Sequence, residues 1–502
     1  MKKAVNNAAA FLLFLLFLLV SMLLYACAAQ SDIQDIAENQ HTSPVTTKSE
    51  SQTPNLPDIK YDGYEFRILS VNSTSMGNSA ESGAHFWSDF GFNEERSGEP
   101  INDAVYVRNT KIEERFGIDI LLDEMADVQA AAEKTITAGD DLYDVITPFI
   151  DKTFAMAQAG YISDLYEVPY LDLTKGWWDS ALTESLSLCN HIYTASGDIS
   201  MEDEEYNWCV IFNKSMVDIH NLEDPYTAVN AGKWTFDKMY ELGKTVTSDL
   251  NGDGKLDMHD SYGYGNDYTG AQSWHSSSGE KIAELDPDGV PRIVIGNERS
   301  HQIMDRITEI FNDRDFMIWA SEIKGVPNAW LELNNMLISG RLLFRSGNIY
   351  NIKQYRVMMD DFGLLPGPKY NEDQKGHAML VYTHACSGVC IPVTNTDLER
   401  TGIVLEAMAF ESAPVADAYY NVTLTGKFAR DEESLQMLEI IFASRTYDIG
   451  KVFGWGKLTD VIYNTVKTDT SFASKYEAVA VSVEAAMTES YAAFSEGIEQ
   501  NR

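Results

Sequence analysis

Apolar and polar positions change their period along this chain, and the changes mark its elements. YEFRILSVN from Tyr64 is a strand-like run. After a polar loop comes PINDAVYVRNTKIEERFGI, where Ile101, Val105, Val107, Ile112 and Phe116 recur near helical spacing; this predicts an amphipathic helix that stops at Gly117. IDILLDE then reads as a strand, VQAAAEKTITAG as a helix and LYDVITPFI as a third strand. Strand, helix, strand, helix, strand is the pattern of a parallel α/β sheet.

Further along, WCVIFNKSMVD reads as strand into helix, GKWTFDKMYELGKTV as a tryptophan-led helix, and ELNNMLISGRLLFRSGN as a helix passing into a short strand. DFGLLPGPK and HAMLVYTHACSGVCIPV supply later apolar strands. The last hundred or so residues are mainly helical, with EESLQMLEIIFASR the clearest amphipathic stretch. No internal repeat is visible. Because α/β patterning returns after a helical middle, two lobes are expected, each assembled from separated segments. One takes residues 60–200 and 360–412, the other 201–359 and 413–502. At 502 residues the chain is long enough for such a division.

The N-terminus changes the picture of where these lobes work. MKKAVNNAAAFLLFLLFLLVSMLLYAC has two lysines, an apolar run and Cys27, which is the form of an export signal over residues 1–27. Leu24, Tyr25, Ala26 and Cys27 resemble the lipobox of bacterial lipoproteins, so Cys27 is the expected lipid attachment point. Residues 28–59 are rich in Ser, Thr, Gln and Asn and read as a disordered tether. The folded part is expected on the extracellular face of the cell membrane, anchored by lipid. A net charge of -38, from 76 acidic against 38 basic residues, repels phosphate backbones and argues against nucleic acid as a partner. Cys189, Cys209, Cys386 and Cys390 are too few to frame a fold of this size. His384, Cys386 and Cys390 make a poor metal spacing, so buried, unligated thiols are expected.

The densest chemistry is DLNGDGKLDMHD. Oxygen ligands fall at positions one (Asp249), three (Asn251), five (Asp253), nine (Asp257) and twelve (Asp260); Lys255 at seven can offer its carbonyl, and Gly254 stands at six. This is a calcium-loop register, with Asp in place of the usual final Glu, as in dockerin-type loops. The competing reading is a solvated Asn-Gly and Asp-Gly turn. SYGYGNDY, which follows, is not a second amphipathic helix, so the expected role of calcium is a structural staple.

Nine tryptophans and 25 tyrosines provide flat faces on which sugar rings stack. Trp234, at a helix start, reads as core; Trp178, Trp208, Trp274 and Trp455 lie near polar or glycine-rich loops, where cleft and core are both open. Acidic groups such as Glu94 with Glu95, and Glu202, Asp203, Glu204 and Glu205, could be offered as glycosidase carboxylates. Adjacency in sequence says nothing about their separation across a substrate, and solvated surface is the default for both. There is no GxSxG, HExxH, Walker loop or strand-linked GxGxxG; Gly263 and Gly265 in YGYGND are a partial echo. No catalytic residue is assigned.

YDGYEFRIL, GEPINDAVYVRNTKIEERFGI, LYDVITPF, GYISDL, WCVIFNKSM, GKWTFDKMYEL, DFGLLPGPK and GKFARDEES with TYDIG together resemble lipoprotein extracellular solute-binding proteins of clostridial ABC transporters, distant relatives of maltose-binding protein. The resemblance runs from about Tyr61 to about Gly450. It implies an α/β, periplasmic-binding-protein-like (type II) fold with two hinged lobes of discontinuous segments, crossing near Ile192 to Tyr206, Arg356 to Asp361 and Phe410. It implies solute contacts at Tyr206 and Asn207, before the FNK strand, and at Arg345, Ser346 and Asn348, after GRLLF. Trp178, Trp274 and Trp455 are the stacking candidates and Asp151 a hydroxyl acceptor. The implied function is non-enzymatic: a monomeric receptor that captures a small solute, an oligosaccharide by expectation, and delivers it to an ABC permease. A secreted carbohydrate-active enzyme and a calcium-stabilised adhesion module are the rival readings.

Overall fold

The computed structural model describes residues 53–72, 89–91, 97–359, 361–428 and 431–501. The export signal, Cys27, most of the tether, Glu94 and Glu95 lie outside these described residues. Among the described residues no helix is long and apolar enough to cross a membrane.

Strand β1 (Tyr64–Val71) starts a three-stranded parallel sheet. The first helix, α1 (Pro100–Phe116), begins where the Glu99 side chain accepts the Asn102 N–H, and it ends at Gly117, whose left-handed φ of 61° suits a residue without Cβ. That turn feeds directly into β2 (Ile118–Met125), which pairs with β1 from Tyr64 opposite Ile118 to Val71 opposite Met125. Helix α2 (Val128–Ala138), capped by Asp127 and closed by Gly139, returns the chain to β3 (Val145–Ile146) on the other side of β1. The pattern expected from apolar period alone is present here because each element carries its own caps. One difference is that LYDVITPFI contributes only two strand residues, since α3 (Ile150–Gln158) starts at once.

The second sheet contains β4 (Trp208–Asn213), β5 (Tyr262–Asn266), β8 (Met317–Trp319), β9 (Leu342–Asn348) and β10 (Phe362–Leu365), in the order β10-β4-β9-β5-β8; two short strands, β6 (Ala283–Leu285) and β7 (Pro291–Ile293), form a separate hairpin. β4 is antiparallel to both β9 and β10, whereas β5 runs parallel to β8 and β9. Residues 362–365, expected with the first lobe, therefore belong to the second sheet. Their neighbour is β4, a partner that local pattern cannot name.

Among the stretches of chain that run between the two sheets, three lie beside one another. The first carries a short helix, α4 (Glu202–Glu205), into β4, and Asn207 bridges Val381. The second runs from β11 (Met379–Leu380) to Pro392, where Phe149 bridges Ser387, Ile146 bridges Cys390 and Ile162 bridges Pro392 beside the first sheet. The third is β12 (Arg445–Thr446), parallel to β11. The resemblance had placed the second crossing near Arg356 to Asp361 and the third near Phe410. Ile349–Val357 is instead a 3-10 segment leading to β10, whereas Phe410 lies at the end of a helix, Leu398–Glu411, that packs on α1, and the chain goes on from there to a helix, Glu432–Ala443, that packs on β10. HAMLVYTHACSGVCIPV is thus mostly single bridges rather than strand, because its partners are the crossing segments.

Candidate functional site

The crossing segments bring together aromatic residues from distant parts of the sequence. Tyr382 donates its backbone N–H to the Tyr206 carbonyl at 3.0 Å, and the Asn207 carbonyl accepts the Ile349 N–H at 3.0 Å. These two bonds align residues 206–208, 349–350 and 381–384. Trp208 meets Tyr382 edge-on with centroids 6.0 Å apart, Tyr206 lies 5.2 Å from Tyr350, and the His384 ring sits 3.5 Å from Tyr382. Helix α11 (Ile449–Phe453), started by the Asp448 cap, holds the Lys451 ammonium 4.7 Å over the Tyr382 ring. From another direction Tyr463 donates to Gln272 Oε1 at 2.9 Å and faces Tyr268, centroids 6.5 Å apart.

Several buried polar atoms in this region have no hydrogen-bond partner in the protein: Asp151 Oδ1, Asn207 Oδ1, Trp208 Nε1, Gln272 Nε2, Thr383 Oγ1 and Lys451 Nζ. Each such group costs about 1–3 kcal/mol if left unsatisfied, and folded proteins rarely keep many. Those named here lie near Tyr206, Tyr350, Tyr382 and Tyr463, an arrangement that offers polar groups and aromatic faces to a ligand. Burial sets the electrostatics. It raises the Asp151 carboxyl against the pull of Lys152 and Lys451, and it lowers Lys451 to about 8 although Asp448 and Asp151 oppose it. It also drops His384 to about 3, helped by Lys451 and Lys152, so this imidazole is neutral at physiological pH.

Of the residues expected at the site, Asp151, Tyr206 and Asn207 lie in this region. Arg345 and Ser346 are buried within β9: Arg345 Nη1 donates to the Gly265 carbonyl at 3.4 Å and Ser346 shares a 2.7 Å bond with the Tyr264 hydroxyl. Asn348, also buried, opens the segment that carries Tyr350. The three tryptophans serve packing. Trp178 donates to Glu406 at 2.9 Å, Trp274 to the Tyr264 hydroxyl at 3.2 Å, and Trp455 to Ser490 at 3.0 Å while stacked on Phe453. A loop-flanked indole in sequence was here a core indole with its one N–H satisfied. Tyr382, His384 and Lys451 were missed. The only local signal was a Tyr-Thr-His trio interrupting an apolar run.

The acidic run Glu202 to Glu205, expected on solvated surface, is buried. Glu202 accepts the Ser387 N–H at 2.6 Å, and Glu204 accepts Tyr420 Oη–H at 2.7 Å and pairs with Arg445. These carboxylates fasten the crossings to one another. Cys189, Cys209, Cys386 and Cys390 are free, three of them buried.

In the Asp-rich loop, Asp249 accepts the N–H groups of Gly252 and Gly254 at 2.7 and 2.8 Å, which holds its carboxyl below the usual range. Asn251 and Asp253 make the corresponding turns to Asp253 and Lys255, Asp257 accepts from His259, and the buried Asp260 accepts from Leu250 and Asp257. Gly252 and Gly254 have φ of 74° and 79°. Among the described residues no three or more His, Cys, Asp or Glu side chains converge as a metal-ligand set.

Neither known family patterns nor characterised proteins match the sequence. The fold does match solved structures. It resembles an ABC substrate-binding protein from Listeria monocytogenes in complex with cycloalternan (TM-score 0.51, 12% identity, 87% of this chain and 100% of that one). It resembles a cyclo/maltodextrin-binding protein complexed with maltotetraose (0.55, 13%, 86% and 98%) and a family 1 extracellular solute-binding protein from Bifidobacterium longum subsp. infantis (0.55, 13%, 86% and 100%). The fold is accordingly of the type II periplasmic-binding-protein class. Within that class the likeness is to extracellular solute-binding proteins of the maltodextrin-binding kind, at the level of fold.

Proposed function

We propose that this chain is the carbohydrate receptor of an ABC importer. It captures a small polyhydroxylated solute between its two halves and hands it unchanged to a permease, while acylated Cys27 and the following tether keep it on the outer face of the membrane as a monomer. The supporting observation is the set of buried, unpartnered polar atoms among tyrosines where the crossing segments meet, since sugars pair hydroxyls with polar groups and C–H faces with rings. The similar structures solved with cycloalternan and maltotetraose support the same ligand class. No bond is broken. Solute would touch both halves only when they close, and that differential contact shifts the open and closed populations. The acidic run offers little to a glycosidase reading, because Glu202 and Glu204 are committed to backbone and side-chain partners. Calcium in the loop at Asp249 to Asp260 belongs to the same proposal, supported by its ligand register and by Gly254 at position six. Intrinsic fluorescence titration against neutral oligosaccharides, peptides and polyamines tests the receptor. Saturable quenching by sugars is expected, and silence across the panel would sink the proposal.

A further inference from the structure

Asp151 and Lys451 each stand in the first turn of a helix, and the two helices, α3 and α11, pack through Phe154 against Phe453 with centroids 4.9 Å apart. The Asp151 backbone and the Lys451 side chain both border Tyr382 and Thr383. The Asp151 N–H donates to the Thr383 carbonyl at 3.2 Å, and the Lys451 Nζ lies 4.7 Å from the Tyr382 centroid. Burial raises the Asp151 carboxyl and lowers the Lys451 ammonium, and each opposes the shift of the other. Yet Asp151 Oδ1 and Lys451 Nζ are buried and unpartnered, and the ion pair that Asp151 makes is with the exposed Lys152, at 4.0 Å. Asp448, the other acid beside Lys451, is already engaged: its oxygens accept the N–H groups of Ile282, Ala283, Gly450 and Lys451.

A buried carboxylate and ammonium that leave each other unpaired are costly unless something bridges them. Resting on the carbohydrate reading, we infer that Asp151 and Lys451 together read one pair of adjacent hydroxyls on an uncharged sugar ring lying against Tyr382. One hydroxyl donates to Asp151 Oδ1 and the neighbouring one accepts from Lys451 Nζ, so a single diol satisfies both charges without adding one. An anionic solute could pair with Lys451 only while facing the Asp151 carboxylate, and a cationic one with Asp151 only while facing the Lys451 ammonium, whereas a neutral diol satisfies both. Charge-assisted hydrogen bonds are the strong ones, so this pair sets specificity rather than merely excluding water. The site thereby selects neutral sugars over uronic acids and amino sugars.

The experiment is calorimetric titration of the whole chain with maltotetraose, cellotetraose, xylotetraose and cycloalternan, alongside trigalacturonate and chitosan oligomers. Wild type is compared with Lys451→Met and Asp151→Asn, and thermal melts confirm that each variant is folded. At least one neutral sugar is expected to bind wild type, and each substitution to weaken it tenfold or more, with the double variant no weaker than the worse single one. Undiminished binding by both folded variants, or preference for the uronate or amino-sugar probe, would overturn the diol clamp while leaving the receptor intact. A wild type that binds none of the sugars removes the receptor reading itself, and the clamp with it.

Discussion

Arg445 faces three carboxylates at once: Asp179 at 3.5 Å, Asp203 at 3.3 Å, and Glu204. One guanidinium cannot neutralise three buried anions. Burial, and then the Glu204 charge, push the Asp203 carboxyl well above its ordinary range. For Glu204 burial alone would do the same, but Arg445, Asp203 and Tyr420 together hold it below. Because its folded pKa is raised, Asp203 contributes stability that is complete below the ordinary carboxylate pKa of 3.8 and is lost as pH rises through the raised value. Asp203→Asn removes that loss. At neutral pH the variant is expected to be about 1–3 kcal/mol more stable than wild type, the gap narrowing as pH falls towards 4; chemical denaturation at several pH values checks it, and a gap that widens on acidification contradicts it. The neighbouring Tyr382 carries a different expectation. Tyr382→Ala should weaken sugar binding by roughly 1–3 kcal/mol with little change in melting temperature, read by titration and thermal shift. Neither role was legible locally: EDEE in sequence looks like solvated surface, and only the arrival of Arg445, Ser387 and Tyr420 makes it a buried fastening.

The YGYG echo of a nucleotide loop has a packing explanation at the scale of elements. Helix α5 (Phe236–Lys244) lies directly on β5, and a Cβ at Gly263 would come within 2.5 Å of the Gly243 Cα. A Cβ at Gly265 would instead meet a side chain, coming within 2.5 Å of Leu342 Cδ2. Helix and strand touch backbone to backbone, so Gly263→Ala should cost about 1–3 kcal/mol by urea unfolding, and an unchanged midpoint would refute the close approach. The Asp-rich loop sits between α5 and β5 and is the second element with a clear expectation. Excess EDTA should lower the melting temperature without abolishing sugar binding, and added calcium should restore it; a melt insensitive to both would leave the loop as a self-capped turn. The helices themselves were the most legible elements, since period, caps and terminal glycines are all local. For the same reason the strands of the crossings were the least legible, their partners lying far away in the chain.

The receptor proposed above opens and closes about the segments that cross between the two sheets. Solute is expected to reduce the radius of gyration measured by small-angle scattering and to raise stability by about 2.7 kcal/mol at a concentration 100 times its Kd. A scattering curve unchanged at saturation would contradict closure. The core is shared rather than split: one buried cluster runs from Phe66 and Ile146 through Trp234 and Phe311 to Leu458. A second, from Ile101 and Val105 to Leu337 and Tyr419, also takes residues from both segments.

What the sequence determined by itself was the strand–helix–strand alternation of the first sheet, the amphipathic helices and the stop of the first helix at Gly117, because each rests on interactions within a few residues. Tertiary structure alone decided that β10 joins β4, that three loop-flanked tryptophans are core, that an acidic run is buried, and that the helices carrying Asp151 and Lys451 pack against each other. Those outcomes depend on which distant surfaces come together, and a contact between residues hundreds of positions apart leaves no periodic trace in either segment.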